Sequence, residues 1–215
     1  MLAAQLPISL AVNDNRVLVA KIDSDITAAT TGMVSDVLSL ASSMSARLVV
    51  IEVDTPGGEV NAVRSIMGFF ESSQTPVCVY VSPVGAAAWS GGTYLLVSSH
   101  IAAMASGTSI GSAQPISSAG QLINDTKHVN ALAALMVNHA EFHGRNATAA
   151  ERFVRQNLNL GPVDALRYGA VEFIADDLRS LLGKFRRRSS SRRRRPRAWA
   201  GGGSPTYMTR IMSTA

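Results

Sequence analysis

The chain has 215 residues, of which 47% are hydrophobic, and a formal net charge of +5. This length and composition fit one globular domain with a tail and exclude a largely disordered protein. Residues 184–215 contain ten Lys/Arg and no acid, which leaves ten basic and fifteen acidic residues in 1–183, a net charge of −5. The mildly acidic domain gives no reason to expect a nucleic-acid partner. The single cysteine, Cys78, excludes an intramolecular disulfide bond.

Predicted strands and helices alternate along the chain. The strands are predicted at 17–22, 47–53, 77–82, 101–104 and 171–174. The helices are predicted at 28–44, 59–72, 87–98, 127–143, from 148 onward, 164–169 and 176–184. A continuously apolar run such as 47–53 is typical of a parallel strand that is buried on both faces. The alternation predicts an α/β fold with a mainly parallel sheet and right-handed crossovers.

The two ends of the chain differ from its middle in composition. We expect residues 1–15 to be a leader or the frayed start of a first strand, and 16–184 to be the folded domain. Residues 185–215 are rich in arginine, serine and glycine and are predicted to be a disordered tail. No apolar run reaches the roughly 18 residues needed to cross a bilayer. Residues 105–125, rich in glycine, serine and alanine, are predicted to be a loop.

Two glycine-rich turns follow neighbouring predicted strands. The first is Asp54-Thr-Pro-Gly-Gly58, and the second is Ser90-Gly-Gly92. Ligand sites in open α/β sheets form at the carboxyl ends of strands, and glycine lets the backbone approach a ligand closely. The amides of Gly58 and Gly91 are therefore candidate donors to an oxyanion, beside the candidate nucleophile Ser90. Ordinary βα turns show the same pattern, so these residues alone leave both interpretations open.

An isolated lysine is a candidate general base for Ser90. Lys127 begins a predicted helix and lies next to its apolar face. Burial lowers the pKa of a lysine, and a neutral amine can accept the hydroxyl proton. Asp125 would oppose this role if its carboxylate pointed at the lysine, because a nearby negative charge stabilises the ammonium form. A solvated lysine at the start of a helix is the alternative.

The histidines offer weaker candidates for chemistry. His128 adjoins Lys127 and is an alternative base, whereas His100 begins a strand and is predicted to be structural. His139 and His143 are four positions apart on a helix, but no third ligand is evident, so no metal site is predicted.

Four motifs in order resemble one known family. They are Asp54-Thr-Pro-Gly-Gly58, Ala87-Ala-Trp-Ser-Gly-Gly-Thr-Tyr94, Gly107-Thr-Ser-Ile-Gly111 and Gly144-Arg-Asn-Ala-Thr148. Over residues 16–183 the chain is similar to the membrane-bound NfeD-family serine proteases, above all to their archaeal stomatin-cleaving members. This family is related to signal peptide peptidase A and, more distantly, to the proteolytic subunit of Clp protease.

The resemblance implies a fold, an activity and the roles of four residues. The fold is that of the Clp protease and crotonase superfamily, and the activity is that of a serine endopeptidase without a cofactor. Ser90 matches the nucleophile and Lys127 the general base of a Ser-Lys dyad. Gly58 and Gly91 match the residues whose amides hold the oxyanion.

The resemblance also implies a substrate, a location and an assembly. The substrate is an apolar segment of a membrane protein, such as the C-terminal region of stomatin, and the chain forms a homodimer or a larger homo-oligomer. The protein is membrane-associated, with the protease domain outside the cytoplasm. We expect the turn after Gly58 and the loop 107–116 to pair with the substrate backbone. The predicted substrate-binding residues are Gly57, Glu59, Val60, Thr108, Ser109 and Ile110.

Two other classes of function stay open. Trp89 stands where these relatives have a small residue, which, with Asp125, favours a non-catalytic binding or assembly module that keeps the fold. A crotonase-type enzyme acting on acyl-CoA would share the paired oxyanion amides. Glu52 and Glu59 flank the first turn, but no adenine-binding or acid/base glutamate pattern is evident.

Overall fold

The computed structural model of the chain describes residues 9–11, 16–117, 120–123 and 125–192. The strands in this part of the chain are β1 (Ser9–Ala11), β2 (Val17–Ile22), β3 (Leu48–Val53), β4 (Val77–Val81), β5 (Ala87–Trp89), β6 (Ile101–Met104), β7 (Ser109–Gly111), β8 (Asn159–Leu160) and β9 (Phe173–Ile174). The helices are α1 (Ala28–Ser43), α2 (Val60–Ser72), α3 (Gly91–Ser98), α4 (Thr126–Phe142), α5 (Ala147–Arg155), α6 (Pro162–Arg167) and α7 (Leu178–Arg192).

The main sheet has the strand order β1-β2-β3-β4-β6-β9. β1 is antiparallel to β2, and the other neighbours pair in parallel. The middle of β3 is fully buried, as a strand covered on both faces must be. The predicted α/β fold with a mainly parallel sheet is therefore confirmed.

A second, three-stranded sheet has the order β5-β7-β8, with β7 in the middle. Two predictions were wrong here: residues 87–89 form a strand rather than the start of a helix, and 109–111 form a strand inside the predicted loop. Both errors have one physical cause. Each short strand is stabilised by partners far away in the sequence, and three residues are too few to show a period.

The two faces of the main sheet carry separate apolar clusters. One face packs against α1 to α4, and the other, which includes Tyr80 and Ile101, packs against α7. Phe185 is buried in this second cluster, where its ring lies 4.9 Å from that of Phe173. The helix α7 continues through Arg192, past the predicted start of the tail at residue 185. Most of the predicted leader, 1–15, and the tail from residue 193 onward lie outside the described residues, so both stay predictions. Within the described ranges, no helix combines the length and apolar character needed to span a bilayer.

A buried arginine connects several elements behind the sheet. The Arg145 side chain is 1% exposed and donates to the carbonyls of Val97 and Ser99, at 2.8 and 2.7 Å. It also forms a two-point ion pair with Glu172, whose Oε2 accepts from the Ala102 amide at 2.7 Å. The arginine of the Gly144–Thr148 motif thus ties the end of α3 to β6 and to the chain entering β9.

Candidate active site

Ser90 occupies a sharp turn between β5 and α3. Its φ of +48° lies in the left-handed region, which is unusual for a residue other than glycine. The Ser90 amide donates to the Gly111 carbonyl at 2.9 Å, and its carbonyl accepts from the Thr93 amide at 3.0 Å. Strained backbone of this kind persists only where the surrounding contacts hold it. The turn presents the half-buried serine at the mouth of a cleft.

The Pro-Gly-Gly turn lies directly against Ser90. A Cβ atom built on Gly57 would be 2.7 Å from Ser90 Cβ and 3.2 Å from the Gly91 nitrogen. A Cβ atom on Gly91 would be 3.4 Å from the Gly58 nitrogen. The structure therefore brings the two predicted turns together, with the amides of Gly58 and Gly91 beside the serine. Two donors placed like this next to a nucleophile are the arrangement that stabilises an oxyanion.

Hydrogen bonds to Ile26 explain why the Gly58 amide stays available. The Ile26 amide donates to the Gly57 carbonyl at 2.7 Å, and the Glu59 amide donates to the Ile26 carbonyl at 2.8 Å. The groups on either side of the Gly58 N–H are therefore engaged. A side chain on Gly58 would reach 2.1 Å from the Ile26 carbonyl oxygen, so only glycine fits. Among the described residues, neither the Gly58 nor the Gly91 amide has a hydrogen-bond acceptor.

Thr55 holds both turns in place. Its buried hydroxyl donates to the Ser24 carbonyl at 2.7 Å and accepts from the Gly57 amide at 3.1 Å. Its backbone pairs with β5, through the Ala87 carbonyl at 2.7 Å and the Trp89 amide at 3.0 Å. Sequence analysis missed this residue, although a threonine two positions before a glycine is a known turn signal.

The Ser90 cleft is narrow and mostly apolar. The space it encloses, including its open mouth, is about 360 Å³. Its lining residues are Gly58, Val60, Val63, Arg64, Ser90, Gly91, Tyr94, Ala113, Pro115, Leu132 and Leu135. The walls come from α2, α3, α4 and the segment after β7, so the site needs most of the domain to be folded.

Lys127 lies in the first turn of α4, outside the residues that line the cleft. Its side chain is exposed, and no hydrogen bond joins it to Ser90. Leu132, which does line the cleft, is five residues further along the helix, or about 7.5 Å. The structure therefore places the predicted base near the cleft but does not bring it together with the nucleophile.

Asp125 is the N-cap of α4. Its Oδ1 accepts from the amides of His128, at 3.2 Å, and Lys127, at 2.7 Å, and these hydrogen bonds lower the pKa of the carboxyl group. The carboxylate is thus directed at the end of the helix, where an anion is favoured. Within the described residues, no carboxylate lies at ion-pair distance from the Lys127 ammonium. The Asp125 carboxylate therefore faces the helix amides and forms no ion pair with Lys127.

Comparison with known proteins identifies the family. The profile of the NfeD1b N-terminal domain matches residues 16–177. The chain belongs to the NfeD1b N-terminal domain family. The domain is 41% identical over 174 residues to the membrane-bound protease PH1510 of Pyrococcus horikoshii. The match covers 79% of this chain, and the chain spans 40% of the length of that relative.

Solved structures agree with this membership. A lysine-to-alanine variant of the membrane-bound, stomatin-specific protease 1510-N, in complex with a substrate peptide, matches with a TM-score of 0.75 and 41% identity, covering 78% of each chain. A serine-to-alanine variant of that protease matches with a TM-score of 0.77 and 40% identity, covering 80% of this chain and 86% of that one. ClpP1 from Listeria monocytogenes, at 18% identity, a TM-score of 0.60 and coverage of 76% and 94%, shows the shared fold.

The NfeD1b domain does not expose the whole segment predicted to bind substrate. Thr108 and Ile110 are buried, and the Thr108 hydroxyl donates to the Ala105 carbonyl at 2.6 Å. In the middle strand β7, Ile110 pairs with both Ala88 and Leu160, whereas Ser109 pairs with Ala87 of β5. The substrate-binding role of these three residues stays a prediction. The segment itself, which looks like an open loop in the sequence, is the centre of a small sheet. Ala113 and Pro115, further along the same segment, line the cleft instead.

Some of the other predicted substrate-binding residues lie at the Ser90 cleft and others lie outside it. Val60 and Gly58 line the cleft, and Gly57 touches Ser90. Glu59 is the exposed N-cap residue of α2 and is outside the cleft lining. The Trp89 indole donates to the Ser109 hydroxyl at 2.9 Å and is 44% exposed. The tryptophan therefore does not fill the Ser90 cleft.

None of the four histidines is among the residues that line the Ser90 cleft of this NfeD1b domain. His100 is buried and accepts from the Val77 amide through Nδ1 at 3.1 Å. Burial, reinforced by the charge of Arg145, lowers the pKa of His100 to about 4 and that of His143 to about 3. His139 Nδ1 lies 3.0 Å from Glu71 Oε1, and the described residues contain no group of three side chains that could hold a metal ion.

Proposed function

We propose that this domain is a serine endopeptidase with Ser90 as nucleophile and Lys127 as general base. The observation that carries the proposal is the contact between the strained Ser90 turn and two amides, Gly58 and Gly91, that have no acceptor among the described residues. The relatives support it, because the family includes a membrane-bound protease. In that protease a serine and a lysine were each replaced by alanine. The lysine follows the serine by roughly 40 positions in both chains.

The proposed reaction has two halves, formation of an acyl-enzyme and its hydrolysis, and Ser90, Lys127 and the two amides act in both. Ser90 Oγ attacks the carbonyl carbon of the scissile bond while Lys127 Nζ takes the hydroxyl proton. The carbonyl oxygen becomes negative and accepts hydrogen bonds from the Gly58 and Gly91 amides. The lysine then gives its proton to the leaving amine, which departs as the acyl-enzyme forms. Water attacks the ester by the same route and releases Ser90.

This reaction requires Lys127 to move toward Ser90. We infer that the first turn of α4 shifts when a peptide fills the cleft, because Leu132 and Leu135 of the same helix form part of the cleft wall. Catalytic contacts are often loose in free enzymes and tighten in the substrate complex.

The substrate proposed is an extended apolar segment of a membrane-associated protein. The cleft walls support it, because Val60, Val63, Leu132 and Leu135 favour apolar side chains. The solved relative is specific for stomatin, so a stomatin-like partner is the first candidate. Membrane association, a domain outside the cytoplasm and a homodimer or larger assembly complete the proposal by analogy with the family.

The proposal is tested by cleavage of an apolar peptide library, with products identified by mass. We expect Ser90→Ala and Lys127→Ala each to lower kcat/KM by at least about a thousandfold, as for catalytic groups in other serine proteases. Lys21→Ala is the matched control, because Lys21 is an exposed lysine paired with Asp23 on β2. Its activity should equal that of the wild type. Equal cleavage by all variants, or no cleavage by the wild type, would contradict the dyad.

One observation favours a non-catalytic module as the second candidate: Lys127 lies outside the residues that line the cleft. Such a module would bind the apolar peptides without cleaving them, and binding would be insensitive to Lys127→Ala. Thioester turnover in the same assay would support a crotonase-type enzyme instead.

A further inference from the structure

One charged side chain lies in the otherwise uncharged wall of the Ser90 cleft. Val60, Val63 and Arg64 occupy positions i, i+3 and i+4 of α2 and therefore share one face of the helix. All three line the cleft together with Ser90. Among the described residues that do so, Arg64 is the one that carries a charge.

Arg64 is exposed at the edge of the cleft. Among the described residues, no carboxylate lies at ion-pair distance from its guanidinium, and no residue accepts a hydrogen bond from it. Two other arginines, Arg145 and Arg155, form ion pairs with Glu172 and Glu151. The five N–H donors of Arg64 are thus available at the cleft, beside the proposed nucleophile.

We propose that Arg64 determines specificity by binding a carboxylate of the substrate peptide. The inference rests on the proposed protease function. A guanidinium matches a carboxylate with two parallel hydrogen bonds, which gives the pair geometric specificity as well as charge attraction. The preferred substrate is therefore an apolar segment with one carboxylate close to the scissile bond. An acidic side chain and a free C-terminal carboxylate supply the same chemistry.

The test uses four peptides that share one apolar segment. They carry glutamate or glutamine at one flanking position, and each is made with a free or an amidated C-terminus. We compare kcat/KM for the wild type, Arg64→Gln and Arg64→Lys. The control is Arg179→Gln, which removes the same charge from an exposed position of α7, on the opposite face of the main sheet.

We expect the wild type to prefer a carboxylate-bearing peptide by about tenfold, the size of one charge-assisted hydrogen-bonded pair. Arg64→Gln abolishes the preference by slowing only the acidic substrate, Arg64→Lys keeps part of it, and Arg179→Gln keeps all of it. A preference for glutamate over glutamine identifies an acidic side chain as the source of the carboxylate, and a preference for the free over the amidated peptide identifies the C-terminus. Equal rates for all four peptides in the wild type, or an equal loss for all four in Arg64→Gln, would overturn the inference.

Failure of the proposed function gives a different result from failure of this inference. If the wild type cleaves none of the peptides, the protease proposal fails, and calorimetric binding to the Ser90→Ala chain decides the role of Arg64. Binding that favours the carboxylate peptides, and loses this preference in the Ser90→Ala, Arg64→Gln double variant, supports the inference. Binding that ignores the carboxylate overturns it.

Discussion

Gly57 and Ser90 touch across the two turns that build the cleft. The contact leaves no room for a side chain on the glycine, since a Cβ atom would lie 2.7 Å from Ser90 Cβ and 3.1 Å from Ser90 Oγ. The position of the serine hydroxyl therefore depends on the smallest residue of the opposite turn. The Thr55 hydroxyl holds that turn by bonding to Gly57 and to the Ser24 carbonyl. The geometry around Ser90 therefore depends on its own turn, on the Pro-Gly-Gly turn and on the segment that contains Ser24.

Gly57→Ala should abolish most of the cleavage activity. The new methyl group would displace Ser90 and the Gly91 amide, and a misplacement of about 1 Å costs roughly a hundredfold in rate. The expected result is a fall in kcat/KM of at least that size, measured on an apolar peptide. The control is Gly85→Ala, because Gly85 also has a positive φ but would place its Cβ atom in open space. If the two variants lost activity equally, backbone strain rather than contact with Ser90 would be the cause.

Asp125→Ala should reduce activity without removing any proposed catalytic group. The substitution deletes the cap of α4 and loosens the first turn, which carries Lys127. We expect a several-fold lower kcat with little change in KM. Asp125→Asn keeps a capping oxygen and should retain most of the activity. An increase in the activity of Asp125→Ala would instead show that the carboxylate restrains the lysine as a base.

Acid should destabilise the domain through its buried histidines. The pKa of His100 is lowered to about 4 in the folded domain, from an ordinary value of 6.5. The unfolded chain therefore binds more protons between these values, so stability is complete above pH 6.5 and is lost as the pH falls toward 4. Between these two pKa values, each such histidine makes the free energy of unfolding fall by about 1.4 kcal/mol for each unit by which the pH is lowered. Protonation of His100 Nδ1 would also break its hydrogen bond with the Val77 amide.

The measurement is urea unfolding at several pH values within that range. His100→Asn offers an oxygen near the position of Nδ1 and cannot be protonated there, so its free energy of unfolding should depend less on pH. His128→Asn, which alters an exposed histidine, is measured beside it for comparison. Identical slopes for the wild type and His100→Asn would show that other groups cause the acid sensitivity.

Arg145→Met should be among the most destabilising single substitutions in the chain. It leaves the Glu172 carboxylate without its partner in the interior and removes donors from the carbonyls of Val97 and Ser99. Breaking a buried ion pair in this way costs about 3–5 kcal/mol. Arg155→Met breaks an exposed pair with Glu151 and should cost at most about 1 kcal/mol. Similar losses in urea unfolding for the two variants would contradict the structural role of Arg145.

The sequence predicts the Ser90 site better than its base. Gly58 follows β3, and Ser90 and Gly91 come after its parallel neighbour β4, so the topology of the main sheet brings the two turns to the same edge. The short strand β5, which directly precedes Ser90, was not predicted. Lys127 follows a long segment without periodicity, and its distance from Ser90 depends on how that segment runs. The role of Asp125 was similarly undecided, because a carboxylate two residues before a lysine can face either the side chain or the helix amides.

What the sequence by itself determines is therefore the α/β fold, the family and the two glycine turns. Local periodicity shows where strands and helices lie, and glycine shows where the backbone must come close. Only the tertiary structure decides that β7 is the middle strand of a small sheet, that Thr55 joins both turns and that Arg64 faces the cleft. These features depend on contacts between residues distant in the chain, such as Ser109–Gly111 with Asn159–Leu160, and no local pattern encodes them.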